Sequence, residues 1–307
     1  MRTPIAIVTL LLCLSASSAL RAIESYVIVD DVTGFVLASK GRDDKRQIAS
    51  LTKVATAMVV LDWAKLANAE LSERVAIPDS AMAVGGVNPT GFQVSDEVSI
   101  RDLLYAALMS SDNIAAHTLA HHVGRQLPNP QKLESGKNFV AHMNGLAESL
   151  DMERTRFANP SGLDNVEGSL PFSTAEDLAR LTRYAFKKPS FQFYVSQTTR
   201  DIEFLRGGQP FKVTLRNTNP LLNQEGIDGV KTGRTAKAGD CIILSADKAA
   251  ETAQAGDQMT VTSRRVIVVL LGVTDRTGDG LSMIRKAWEL HAQWVAGGRM
   301  MTKGATL

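Results

Sequence analysis

The sequence predicts an α/β fold: one mixed sheet assembled from the two ends of the chain, with a helical insertion between them. Three observations lead there. Two strand-like segments open the chain after a short apolar leader, and helix-patterned segments fill the middle. Three more strand-like segments and a final helix close it.

The elements follow in order. Arg2 precedes an apolar run from Ile5 to Leu14, and Ser15-Ala16-Ser17-Ser18-Ala19 follows. This is the pattern of a secretory signal peptide with cleavage after Ala19, dividing the chain into a leader, 1–19, and a mature domain, 20–307. The run is too short for a permanent membrane span. Leu12 before Cys13 does not suit a lipoprotein. Tyr26 to Asp30 and Phe35 to Ala38 alternate around the Thr33-Gly34 turn and read as a hairpin. Ser50 opens a helical run from Leu51 to Leu66 without Gly or Pro.

Val75 to Val98 is turn-rich, with Gly85-Gly86 and Asn88-Pro89-Thr90-Gly91. Ser99-Ile100-Arg101-Asp102 resembles a capping box and starts a helix through Met109. Ser110 to Asn113 is a polar break before a helix from Ile114 to about Val123, and Phe139 to Leu150 is another helix. Ser173-Thr174-Ala175-Glu176 opens a helix over Asp177 to Phe186, so a helical subdomain is expected within about 70–190. Gly229–Thr232, Asp240–Ala246 and Val266–Gly272 are strand-like, and an amphipathic helix spans Leu281 to Val295. Its Trp288 and Trp294 suit a core helix better than a membrane-surface one.

Composition sets bounds. The 307 residues are 44% hydrophobic and 21% charged, enough for a sizeable core. A formal net charge of +2 does not argue for nucleic acid or an anionic membrane as partner. Apart from Cys13 in the leader, the chain keeps only Cys241, within the buried-strand pattern Cys241-Ile242-Ile243-Leu244; it reads as a small core hydrophobe.

Three motifs carry chemistry. In Ser50-Leu51-Thr52-Lys53 the hydroxyl and ammonium share one helical face. Ser50 would lie at the positive end of the helix dipole. Lysine can activate a serine only when neutral, and at an ordinary pKa about one in 2,500 is neutral at pH 7. Burial and a second cation nearby would lower that pKa. The spacing alone is weak: Ser245-Ala246-Asp247-Lys248 has it too, but on a strand, where the two side chains point to opposite faces.

The second motif, Ser111-Asp112-Asn113, can aim a proton-relaying hydroxyl and an amide into a cleft, or can simply cap a helix. The third is Lys231-Thr232-Gly233-Arg234. On an edge strand Lys231 and Thr232 can hold a carboxylate, and Gly233 lets a substrate backbone lie close. The N–H groups of Arg234 and Ser50 can form an oxyanion hole. In isolation the Lys231-Thr232-Gly233 triplet reads more readily as an exposed turn.

Together, in this order, the motifs resemble those of the serine D-alanyl-D-alanine peptidases, the low-molecular-mass penicillin-binding proteins. Ser25-Tyr26-Val27-Ile28-Val29-Asp30, Phe157-Ala158-Asn159-Pro160-Ser161-Gly162-Leu163-Asp164 and Asp228-Gly229-Val230 add to the likeness, which runs over about residues 24 to 296. The resemblance implies an α/β/α transpeptidase-like sandwich with an antiparallel sheet and a helical subdomain. It further implies Ser50 as acyl-forming nucleophile, Lys53 as base and Ser111 as relay, with Asn113, Lys231, Thr232, Gly233 and Arg234 binding substrate. Peptidoglycan stem peptides would be the substrate and β-lactams covalent inhibitors, in the periplasm, with no cofactor, metal or membrane anchor.

Two departures bear on specificity. Where many relatives place an arginine between two asparagines as a carboxylate clamp, this chain has Asn217-Thr218-Asn219-Pro220-Leu221-Leu222; the clamp is missing or supplied by Arg216 or Arg234. The larger carboxypeptidases also continue into a β-rich domain and an anchor, while this sequence stops at Leu307. A β-lactamase of the same fold and a catalytically idle wall-binding protein are the alternatives. Intact Ser50, Lys53, Ser111 and Lys231 speak against the second. Glu167 resembles a deacylating glutamate only loosely. His117, His121 and His122 lack a third ligand and read as surface or core histidines.

Overall fold

The computed structural model describes residues 23–164, 170–255, 258–301 and 305–307. The leader and Glu167 lie outside the described residues. Nine strands and eight helices are described: β1 (Ser25–Asp30), β2 (Val36–Lys40), α1 (Lys53–Ala67), β3 (Arg74–Ala76), α2 (Asp79–Val84), β4 (Glu97–Ser99), α3 (Ile100–Leu108), α4 (Asn113–Gly124), α5 (Ser135–Ser149), α6 (Ala175–Phe186), α7 (Pro189–Val195), β5 (Thr199–Arg206), β6 (Gln209–Arg216), β7 (Ile227–Thr235), β8 (Gly239–Ala255), β9 (Gln258–Val273) and α8 (Arg276–Ala296).

The main sheet has the order β2-β1-β9-β8-β7. Every pairing in it is antiparallel, as the family resemblance implied and unlike the mixed sheet expected from element order. The reason is connectivity: β7, β8 and β9 follow one another as hairpins, and β9 receives β1 across the chain. Sequence order alone carries no information on that last pairing.

β9 shows why the sheet is central. Ile267, Val269 and Leu271 face one apolar cluster with α1, α4 and α6, whereas Val266, Val268 and Leu270 face another with Ile284 and Trp288 of α8. A strand apolar on both faces must be covered on both. Each fully buried Val or Leu contributes roughly 1.5–3 kcal/mol, so the stacked pairs fix the register of β9. Cys241 is buried and unoxidised on β8, the core hydrophobe expected.

A second, four-stranded sheet, β3-β4-β5-β6, was not expected. Its β5–β6 hairpin turns at Gly207-Gly208, both with positive φ, between two alternating runs. That signal was present in the sequence. Ser99 and Thr174 cap their helices by accepting from Asp102 N and Asp177 N at 3.0 and 3.1 Å. Both hairpin strands β8 and β9 run past the predicted ends, beyond the reach of β7 and β1.

Candidate active site

Ser50 lies not in α1 itself but in a short 3-10 turn, Ala49–Thr52, that leads into it. Its backbone N–H belongs to a first turn, where such groups lack helical partners. Two neighbours fix the turn. A Cβ at Gly162 would run into the carbonyl oxygen of Ala49, and one at Gly233 would approach Ser50 N to 3.1 Å. Glycine at these positions lets a loop and β7 close on the Ser50 turn from two sides. Ala49 and Ser111 both take left-handed φ angles, 48° and 61°, a strain that side-chain-bearing residues hold only where the surroundings impose it.

Lys53 is the first residue of α1 and fully buried. Its Nζ lies 2.9 Å from Ser50 Oγ, 2.7 Å from Asn113 Oδ1 and 2.9 Å from the carbonyl oxygen of Ser161. Burial brings its pKa down to about 7, while the Asp112 carboxylate nearby holds it up. A large share of Lys53 is therefore neutral near pH 7, the state in which a lysine can take a proton from a serine. The expected second cation acts elsewhere: burial first, then the charges of Lys53 and Arg276, push Lys231 well below its ordinary value.

The Ser111-Asp112-Asn113 triplet divides its work. Asp112 is the helix cap, its Oδ1 accepting from Ala115 N at 3.0 Å. Asn113 reaches Lys53 directly, a contact the sequence reading did not assign to it. Ser111 is buried, and no hydrogen bond joins its hydroxyl to Lys53 or Lys231 among the described residues.

On β7, the edge strand, Lys231 is 1% exposed and donates to Thr232 O at 2.9 Å. The Thr232 hydroxyl is paired with that of Thr218 at 2.6 Å. Of the two arginines considered for the clamp, Arg234 is 76% exposed and 3.7 Å from Asp240, and the backbone carbonyl of Arg216 accepts from Ser110 Oγ. Arg276, at the start of α8, donates to Gly233 O at 3.3 Å and to Asp240 at 3.2 Å. Sequence reasoning missed this cation, because nothing local in Asp275-Arg276-Thr277 announces its place behind β7.

No group of three or more His, Cys, Asp or Glu is placed to hold a metal ion among the described residues. His121 contacts Ser80 and Ser135, and His122 packs edge-on to Trp63. His117 is half-buried and lies 3.0 Å from Ser161 Oγ, on the residue whose carbonyl accepts from Lys53.

The chain is similar to known proteins in both sequence and fold. The family model described as D-alanyl-D-alanine carboxypeptidase matches residues 14–256. A D-alanyl-D-alanine endopeptidase of Pseudomonas aeruginosa is 35% identical over 260 residues, 78% of this chain and 77% of the relative. One from Escherichia coli is 36% identical over 234 residues, 75% and 69% of the two chains. The crystal structure of the Streptomyces K15 DD-transpeptidase superposes with a TM-score of 0.75 at 26% identity, covering 88% of this chain and 98% of that one. On sequence and fold alike, the chain belongs to the D-alanyl-D-alanine carboxypeptidase family of serine peptidases.

Proposed function

We propose that this protein is a serine DD-peptidase that cleaves D-Ala-D-Ala type bonds of peptidoglycan through an acyl-Ser50 intermediate. The observation that carries the reading is a fully buried lysine amine 2.9 Å from a serine hydroxyl, with its pKa brought down to about 7. Neutral Lys53 takes the Ser50 proton as Oγ attacks the carbonyl carbon. The N–H groups of Ser50 and Arg234 receive the oxyanion. Ser111 passes a proton to the leaving nitrogen, and water then frees the acyl group. Asn113, Lys231, Thr232 and Gly233 line the substrate's path. β-Lactams acylate the same serine and stay bound. The alternative of a β-lactamase would need a residue that activates the deacylating water.

The finer reading is a preference for cross-linked substrate. Thr218 meets Thr232 with a hydroxyl where a cation would grip a terminal carboxylate, and a charge-assisted bond is worth roughly 1.5–3 kcal/mol. The absence of that bond favours an amide-linked chain continuing past the site. The leader 1–19 would export a catalytic domain of 20–307, with its helical subdomain within about 70–190, to the periplasm. Among the described residues no helix is long and apolar enough to cross a membrane.

The test is to label the protein with a fluorescent penicillin and map the acylated residue, then compare kcat/KM on cross-linked dimers and pentapeptide monomers. The label should sit on Ser50 and vanish in Ser50→Ala. Labelling elsewhere overturns the mechanism, and a preference for the monomer overturns only the finer reading.

A further inference from the structure

Helix α4 reaches Lys53 twice. Its first residue, Asn113, does so directly through Oδ1. His117, one turn later on the same face, does so through an intermediary. The His117 Nε2 lies 3.0 Å from Ser161 Oγ, and the Ser161 carbonyl accepts from Lys53 Nζ. With the single Ser161 Oγ hydrogen directed to Asn159 Oδ1, 3.1 Å away, the imidazole donates in this contact from Nε2. Asn159 Oδ1 also accepts the N–H groups of Ser161, Gly162 and Leu163. The turn under Ser50 and Lys53 is thus clamped from within by Asn159 and tied to α4 by His117.

We propose that His117 is a positioning residue for Lys53: through Ser161 it holds in place the carbonyl that aims the lysine amine at the Ser50 hydroxyl. This rests on the reading of Lys53 as the base. The charges around the pair come from several elements. Lys53 faces Asp112 ahead of α4 and Lys231 on β7. His117 faces Lys53, has His121 one turn along α4, and borders a cavity of about 260 Å³ shared with Glu134 and with Lys137 of α5. Burial and the Lys53 charge hold its imidazole down at about 4, so it stays neutral and adds no second cation beside Lys53.

A histidine that merely fills space would tolerate leucine, which makes the two roles separable. The experiment measures the second-order rate of Ser50 acylation by a fluorescent penicillin from about pH 5 to 9, in the full-length protein and in His117→Leu, His117→Gln, Ser161→Ala and the His117→Leu/Ser161→Ala pair. The expected plateau for His117→Leu is about tenfold lower, the value of one lost hydrogen bond. Its ascending limb moves to lower pH, because an ammonium with a poorly held acceptor is less stabilised. Glutamine, whose amide nitrogen can stand where Nε2 stood, restores most of the rate. Ser161→Ala matches His117→Leu, and the pair is no worse than either single change. A wild-type plateau and limb in His117→Leu, a glutamine variant as slow as the leucine one, or additive losses in the pair would each overturn the proposal. If His117→Leu does not fold, Ser161→Ala decides, and wild-type rates there overturn it. A wild-type protein that takes no label on Ser50 would instead remove the reading of Ser50 and Lys53.

Discussion

The same four-residue spacing occurs at Ser50-Leu51-Thr52-Lys53 and at Ser245-Ala246-Asp247-Lys248, with opposite results. At the first, a 3-10 turn running into α1 puts hydroxyl and amine 2.9 Å apart in a buried pocket. At the second, β8 sends the two side chains to different faces. Ser245 is buried and donates to Asp228 Oδ1 at 2.6 Å, while Lys248 lies over the Trp288 ring. Backbone geometry, not residue type, decides which serine can react. Burial then decides which lysine can be a base: Lys53 has lost its water, and its amine is stabilised mainly by carbonyl acceptors.

The largest expected contrast comes from arginine scanning. Lys53→Arg should lower penicillin acylation at least about a thousandfold, because guanidinium does not give up its proton. Lys248→Arg should leave the rate within about twofold, since a cation over an aromatic ring is retained. Equal effects of the two changes would dissolve the distinction. In the unsubstituted enzyme the acylation rate should climb about tenfold per pH unit below 7 and level off above it, following neutral Lys53.

A smaller effect is expected on stability, with a definite sign. Lys53 binds its proton less tightly in the folded protein, at about 7, than in the unfolded chain, near 10.5. Between those values the unfolded chain holds more protons, so this residue's contribution to stability rises with pH; below about 7 its full cost is present. Lys53→Met should therefore raise Tm by several degrees at pH 6, with the gain fading toward pH 10. Thermal melts at three pH values measure this. A gain that grows with pH would mean that Lys53 is charged and well paired.

The smallest effect concerns the other serine. Ser245→Ala should leave acylation unchanged and cost about 1 kcal/mol in urea melts, because Asp228 keeps two bonds from Arg265 at 2.8 and 2.7 Å. A loss of labelling there would tie Asp228 and the start of β7 to the chemistry.

Much of the site was legible because its side chains are chemically distinctive: a serine, two lysines and a threonine-glycine pair announce themselves in any linear text. What stayed hidden was made of other things. The Ser161 acceptor is a backbone carbonyl, identical in every residue. The bond from Lys53 to Asn113 Oδ1 depends on the packing of α4 against α1, which no local pattern states. Arg276 and His117 act through neighbours far away in sequence. Of the fold, β1, β2, α3, α4, α6 and the core of β7–β9 could be read from alternation and caps. The second sheet was overlooked although Gly207-Gly208 marked it, and antiparallel closure of β1 on β9 has no local sequence sign.

The bonds on Lys53 also make the site a gauge of the whole molecule. They span 60 residues to Asn113 and 108 to Ser161, and β7 joins from farther still. Each closure must be held against the entropy of a long loop. No short excised fragment contains the partners that hold the amine in place, and no partly assembled chain holds them in register. Covalent labelling by penicillin therefore counts folded molecules, and its loss on heating or in denaturant should track global unfolding and not the loosening of any single element.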